Sequence, residues 1–86
     1  MSRKLAWTDE AWKDYIYWQT QEKKTLKRIN KLINDTMRQP FAGIGKPEPL
    51  REILSGFWSR RIDDANRMVY AVDDVFITII SCKYHY

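Results

Sequence analysis

Apolar residues follow a helical spacing in the first half of the chain and short strand-like runs in the second. Leu26, Ile29, Ile33 and Met37 recur at helical intervals, which predicts an amphipathic helix with one apolar stripe. Lys24, Lys27, Arg28 and Lys31 lie roughly opposite, and Pro40 ends the pattern. Before it, Thr8 precedes Asp9 and Glu10, an N-cap followed by acids that suit a helix N-terminus. Trp12, Tyr15, Ile16 and Gln19 then keep the helical period, so a first helix is predicted over Asp9 to Gln21 with Trp12 in the core. Leu5-Ala6-Trp7 reads as a short opening strand. Residues 40–56 hold Gly43, Gly45, Pro47, Pro49 and Gly56 and read as loop. Strands resume over residues 57–62 and 67–72, and a last one begins near Val75; Asp63-Asp64-Ala65 and Asp73-Asp74 mark the turns between them. The order predicts an α+β fold: a mostly antiparallel sheet with both helices on one face.

With 86 residues the expectation is a single domain, residues 1–86, with no repeat or linker. So short a chain needs an efficient core, and four Trp, five Tyr and three Phe supply it. Cys82 is a lone cysteine in an apolar run and reads as a buried thiol in a reducing cytosol. No signal peptide is evident, and the apolar run from Val75 to Ile80 is too short to span a bilayer; a cytoplasmic protein is expected. The net charge of +4 favours a polyanionic partner without naming one. The basic stripe of the second helix is read equally well as a solvated outer face or as a contact for RNA phosphates.

No metalloprotease motif, phosphate-binding glycine loop or spaced Cys/His set is present, so no metal and no cofactor are expected. The paired acids fall at turns, where Asp serves local hydrogen bonds. A serine triad built on Ser55 or Ser59 with His85 lacks support. What remains is His85, Glu48 framed by Pro47 and Pro49, and a surplus of Arg. On the residues alone Glu48 reads as an exposed loop acid or as a held carboxylate. A three-residue loop at Asp63-Asp64-Ala65 would set Arg61 opposite Arg67, with Cβ atoms about 5 Å apart on one face. An anion between them would relieve their repulsion; splaying into solvent would do the same. A carboxylate, an imidazole and paired guanidiniums are the parts for RNA cleavage by side chains, one assembly among several.

Lys46-Pro47-Glu48-Pro49-Leu50, the run Leu54-Ser55-Gly56-Phe57-Trp58-Ser59-Arg60-Arg61-Ile62, Arg67, Val69-Tyr70-Ala71-Val72 and Tyr84-His85-Tyr86 together resemble the YoeB family of toxins within the RelE superfamily. Trp12, Tyr15, Tyr17-Trp18, Ile29-Asn30 and Pro40-Phe41 extend the resemblance over nearly the whole chain. It implies a RelE-like microbial-ribonuclease fold and ribosome-dependent cleavage of messenger RNA in the A site. Carried over, Glu48 would be the general base, His85 the general acid, and Arg61 and Arg67 the groups on the scissile phosphate. Tyr86 would orient the nucleotide. Lys46 and Arg51 would add cationic contacts, Arg51 standing where Lys is expected. The implied partners are the ribosome, mRNA, a Phd/YefM-type antitoxin and a second copy of the chain; Tyr17, opposite the core face of the first helix, is a candidate contact for that homodimer.

A non-catalytic nucleic-acid-binding module, or a gyrase-targeting toxin of the ParE kind, would share much of the sequence but would not need Glu48 and His85. Strand alternation also sets a condition. If the Asp73-Asp74 hairpin is tight, His85 falls on the face opposite Arg67, so convergence needs a longer loop, a bulge or a terminal bend.

Overall fold

The computed structural model describes residues 2–51 and 56–84. In chain order the elements are β1 (Lys4–Trp7), α1 (Asp9–Gln21), α2 (Lys23–Arg38), β2 (Glu48–Pro49), β3 (Phe57–Arg61), β4 (Arg67–Val72) and β5 (Phe76–Ser81). They build a five-stranded sheet in the order β1-β5-β4-β3-β2. Only the β1–β5 pair is parallel; the other three are antiparallel. Ile29, Leu32 and Ile33 of α2 and Ala11 and Trp18 of α1 pack with Met68, Tyr70, Ile77 and Ile79, so both helices cover one sheet face, as the sequence predicts.

α1 begins as expected, with the Thr8 hydroxyl accepting the Ala11 N–H at 3.0 Å. Its inner face differs from the prediction. Ala11, Asp14 and Trp18 are buried, whereas Trp12 is 49% exposed and Ile16 is also exposed. The small Ala11 brings the helix close to the end of β5, where its carbonyl lies 3.7 Å from Cys82 Sγ. That approach turns the helix by about one residue. Trp12 is left at the rim, packed against Trp7 and Tyr15.

α2 follows its predicted stripe and adds Leu32, Asp35 and Thr36 to the buried side. Lys24, Lys27 and Lys31 are exposed, while Arg28 is half-buried and donates to the Arg61 carbonyl at 3.1 Å. The segment read as continuous loop contains β2, so Glu48 lies on an edge strand instead. That position suits Pro49, which has no N–H to offer a ladder.

The least expected feature is Arg60, which is wholly buried. Strand alternation turns it inward between Trp58 and Ile62. All five of its N–H groups are used: Nη1 on Asp35 Oδ2 (2.7 Å) and the Ile44 carbonyl (3.1 Å), Nη2 on the Gln39 (2.7 Å) and Ala42 (2.8 Å) carbonyls, and Nε on the Tyr70 hydroxyl (3.2 Å). The Tyr70 hydroxyl in turn donates a hydrogen bond to the Pro40 carbonyl at 2.7 Å. The loop after α2 is thereby wrapped around one guanidinium. It approaches so closely that a Cβ on Gly43 would collide with the Asp35 carboxylate, and one on Gly45 would meet Leu32 at 2.7 Å. Both glycines have positive φ, at 114° and 79°, which excludes most other residues on backbone grounds as well.

Hydrogen bonds from Arg38, the Ile44 N–H, Arg60 and Gln39 hold the Asp35 carboxyl well below the usual carboxylate range, against the opposing effect of burial. Asp35→Ala would strand the Arg60 charge in the core, a change that typically costs about 3–5 kcal/mol. For a chain of this size ~1 kcal/mol moves the melting point by about 4–8 °C, so a fall of more than ~12 °C is expected at neutral pH. A carboxyl whose pKa is depressed by folding stabilises above its unfolded pKa, near 4, and progressively less as pH falls below it. The gap between wild-type and variant melts should therefore narrow below about pH 4. A gap that stays constant from neutral to strongly acid pH would show that Asp35 does not act through its charge.

Candidate active site on the far face of the sheet

Ser59, Arg61, Arg67 and Glu48 share the sheet face turned away from the helices, by strand alternation and register. Arg61 pairs directly with Arg67, and Ile62 N–H bonds the Asn66 carbonyl at 3.0 Å, the hairpin geometry predicted from Asp63-Asp64-Ala65. Asp63 builds that turn by accepting the Ala65 and Asn66 N–H groups at 2.9 and 2.8 Å. On the other side, Glu48 pairs with Ser59. Its carboxylate reaches Arg67 Nη1 at 3.4 Å. At that distance and exposure the pair contributes little stability. Its consequence is geometric: a carboxylate meets a guanidinium, with a second guanidinium across the ladder.

The loop that carries Glu48 is set by Arg60. From its last carbonyl to that side chain, Ile44, the chain passes Gly45, whose carbonyl accepts the Arg61 N–H at 2.7 Å. Three residues further, at Glu48, it pairs as β2. Lys46 has positive φ (51°) and is exposed, and Arg51 is exposed at the end of the first described stretch. Among the described residues, neither makes a hydrogen bond to Glu48, Arg61 or Arg67. Ser59, weighed as a triad serine, is buried, and its Oγ has no hydrogen-bond partner among the described residues. Ser55, His85 and Tyr86 lie outside the described residues. No group of three or more His, Cys, Asp or Glu among the described residues could hold a metal ion. No helix among them is long and apolar enough to cross a membrane.

Of the devices the alternation condition names, the last strand carries a bulge. Val72 pairs with Ile77 and Asp73 N–H bonds the Phe76 carbonyl at 3.0 Å, so the hairpin is tight. Further along, Tyr70 pairs with Ile79 but Val69 with Ser81, which leaves Ile80 as an extra residue. Its carbonyl is satisfied by the Thr8 hydroxyl at 2.8 Å, so the residue that caps α1 also anchors the bulge. Beyond it Ser81 lies on the face of Arg67, and Cys82 turns in beneath α1.

There Asp14 Oδ2 accepts the Cys82 N–H at 3.0 Å and the Trp18 indole donates to the Cys82 carbonyl at 2.9 Å. Burial pushes the Asp14 carboxyl up. It also pushes the Cys82 thiol up, to about 12, helped by the Asp14 charge, so this sulfur is not a nucleophile at neutral pH. Lys83 Nζ stands 3.8 Å from the Tyr17 ring centroid, so Tyr17 serves this segment from α1. Tyr84, with φ 62°, is fixed from both sides: Asn66 Oδ1 accepts its N–H at 2.6 Å, and its carbonyl accepts the Arg67 N–H at 2.8 Å.

Asp35, Arg60 and Asn66 are given no role by the sequence reading. A signal for the first two existed. Arg60 shares strand parity with Trp58 and Ile62, and Asp35 falls beside Leu32 on the inner face of α2; a charge at each of two core positions calls for a partner. Asn66 carried no comparable mark.

Residues 7–86 match the model of the YoeB-like toxin of bacterial type II toxin-antitoxin systems. Toxin YoeB of Escherichia coli (strain K12) is 58% identical over 83 residues, covering 96% of this chain and 99% of the relative. Among solved structures, the YoeB/ParE toxin from Agrobacterium tumefaciens superposes with a TM-score of 0.94 at 45% identity, covering 96% of this chain and 99% of that one. YoeB from Staphylococcus aureus, solved as a dimer, superposes with a TM-score of 0.91 at 45% identity over the whole of both chains. The same toxin is also solved in a heterotetrameric complex with the antitoxin YefM, at a TM-score of 0.89. With the family model matched over nearly its whole length and relatives close to sixty per cent identical, the chain belongs to the YoeB family of toxins of type II toxin-antitoxin systems.

Proposed function

We propose that this toxin is a ribosome-dependent endoribonuclease that cleaves mRNA in the ribosomal A site with side chains alone. The observation that carries the reading is the meeting of Glu48 with Arg67 on one sheet face, with Arg61 directly across the ladder. Glu48 takes the proton of a ribose 2′-hydroxyl, whose oxygen attacks the adjacent phosphorus. Arg61 and Arg67 stabilise the charge that develops on the phosphoryl oxygens. His85 gives a proton to the departing 5′-oxygen as the P–O bond breaks, leaving a 2′,3′-cyclic phosphate and a 5′-hydroxyl. Tyr86 orients the nucleotide, and Lys46 and Arg51 hold flanking phosphates. The step consumes no cofactor and leaves no role for a catalytic metal.

Delivery to RNA fits the +4 charge and the exposed Lys24, Lys27 and Lys31. On the same reading the protein acts in the cytoplasm, with a Phd/YefM-type antitoxin neutralising it between encounters with the ribosome and mRNA. It also forms a homodimer through the exposed Trp12, Ile16 and Tyr17 of α1.

Single-turnover cleavage of A-site mRNA tests the roles. Glu48→Gln should slow it by about 10²–10⁴-fold, the usual worth of a general base. Arg67→Lys keeps the charge but loses the planar fork, and should cost ~10-fold or more, about 1.4 kcal/mol of transition-state stabilisation. Wild-type rates in either folded variant would remove that residue from the reaction. With cobalt hexammine in place of magnesium, the ends should still pass through a 2′,3′-cyclic phosphate; 3′-hydroxyl and 5′-phosphate ends would refute attack by the 2′-hydroxyl.

Removing residues 85–86 should abolish cleavage and shift the melting point by only a few degrees, because the described core stops at Cys82. A truncated protein that is folded and cuts at the full rate would take His85 and Tyr86 out of the mechanism.

A further inference from the structure

Tyr84 is the last described residue before His85, and its backbone is held by the β3–β4 hairpin rather than by a strand partner of its own. The hold depends on which way one amide faces. Asn66 is buried, with 8% of its surface exposed. Its Nδ2 donates to both oxygens of Asp63, at 3.0 and 3.2 Å. A carboxylate can only accept, so it must face the NH₂ end of the amide. That leaves Oδ1 for the Tyr84 N–H at 2.6 Å. Asp63 is itself locked by the two backbone N–H groups of its turn. The next residue, Arg67, closes the other side with its backbone N–H on the Tyr84 carbonyl, while its side chain meets Glu48. One hairpin corner thus links the proposed base and phosphate ligand to the point from which His85 follows.

We propose that Asn66, with its orientation set by Asp63, is a positioning residue for the proposed general acid: it fixes the backbone from which His85 is presented to the scissile phosphate. This rests on the ribonuclease reading above. Asn66 touches no reacting atom on this account. Its loss should slow the chemical step and leave binding to the programmed ribosome alone, since the cationic surface is unchanged.

The test exchanges the polarity of the pair. Asn66→Asp sets two acceptor-only groups against each other, and Asn66→Ala removes the contact. Either should lower the saturating single-turnover rate by ~10-fold or more; in Asn66→Ala, which adds no charge beside the arginines, half-saturation should move by no more than about twofold, the pattern of a displaced catalytic group. In the double variant Asp63→Asn with Asn66→Asp, the new amide at 63 donates and the new carboxylate at 66 accepts from Tyr84. The rate should recover to within about threefold of wild type, because donor and acceptor are again matched. Amide hydrogen exchange of Tyr84 in the wild-type chain, which needs no variant to fold, should report a protected N–H. An exchange-labile Tyr84 amide, a folded Asn66→Ala that cuts at the full rate, a loss confined to half-saturation, or a double variant as slow as Asn66→Asp would each overturn the proposal. His85→Ala is measured in parallel. If it is slow while Asn66→Ala is not, only the positioning role fails; if His85→Ala also cuts at the full rate, the ribonuclease reading fails with it.

Discussion

A single buried guanidinium organises the side of the molecule that carries Glu48. Arg60 has five N–H donors, and every one of them finds an acceptor, four of these in the short span from Asp35 to Ile44. Such a group is tolerated in a core only when it is fully paired, because the uncompensated charge would cost several kcal/mol. The converse is that the loop has little freedom. Its carbonyls must face inward to satisfy Arg60, its glycines must give way to Leu32 and Asp35, and its exit at Gly45 is tied to β3. A segment without regular structure, on the edge of a small sheet, thereby acquires the definition of a core element. The edge strand that bears Glu48 inherits it.

The opposite margin is built differently. Between Cys82 and Tyr84 the chain is held by side chains and backbone groups from two distant elements, α1 through Asp14, Trp18 and Tyr17, and the β3–β4 hairpin through Asn66 and Arg67. The bulge at Ile80 allows both contacts at once. It places Cys82 beneath α1 and Ser81 on the face of the arginines, which a regular strand could not do with this register. Thr8 anchors both the bulge and the start of α1, so the helix and the strand end are fixed relative to one another.

Between these margins the cationic centre is left in tension. Arg61 and Arg67 are direct cross-strand neighbours, an arrangement that disfavours the empty sheet and favours an anion. Glu48 relieves part of the repulsion at one of them, through a long and partly exposed contact that holds it weakly. The weak pair on the far face is separate from the groups that hold the fold, Arg60 and Asp35.

The elements were legible because they rest on local physics. Period marked α1 and α2, with a Thr8 cap at the start of α1 and Pro40 after α2, alternation and Asp turns marked β3, β4 and their hairpin, and the three-residue turn brought Arg61 opposite Arg67 by counting alone. Family resemblance then nominated Glu48 among several exposed acids. What the sequence could not determine depends on contacts between segments far apart in the chain. The rotation of α1 that buries Asp14 and leaves Trp12 at the rim comes from the close approach of Ala11 to Cys82, 71 residues away. The bulge at Ile80 depends on Thr8, and the partner of Arg60 is an aspartate 25 residues earlier. A strand pattern records which way a side chain points but not what waits there. That is why the charged pair at the centre of the fold and the amide that holds the Tyr84 backbone became visible only when tertiary packing brought their partners together.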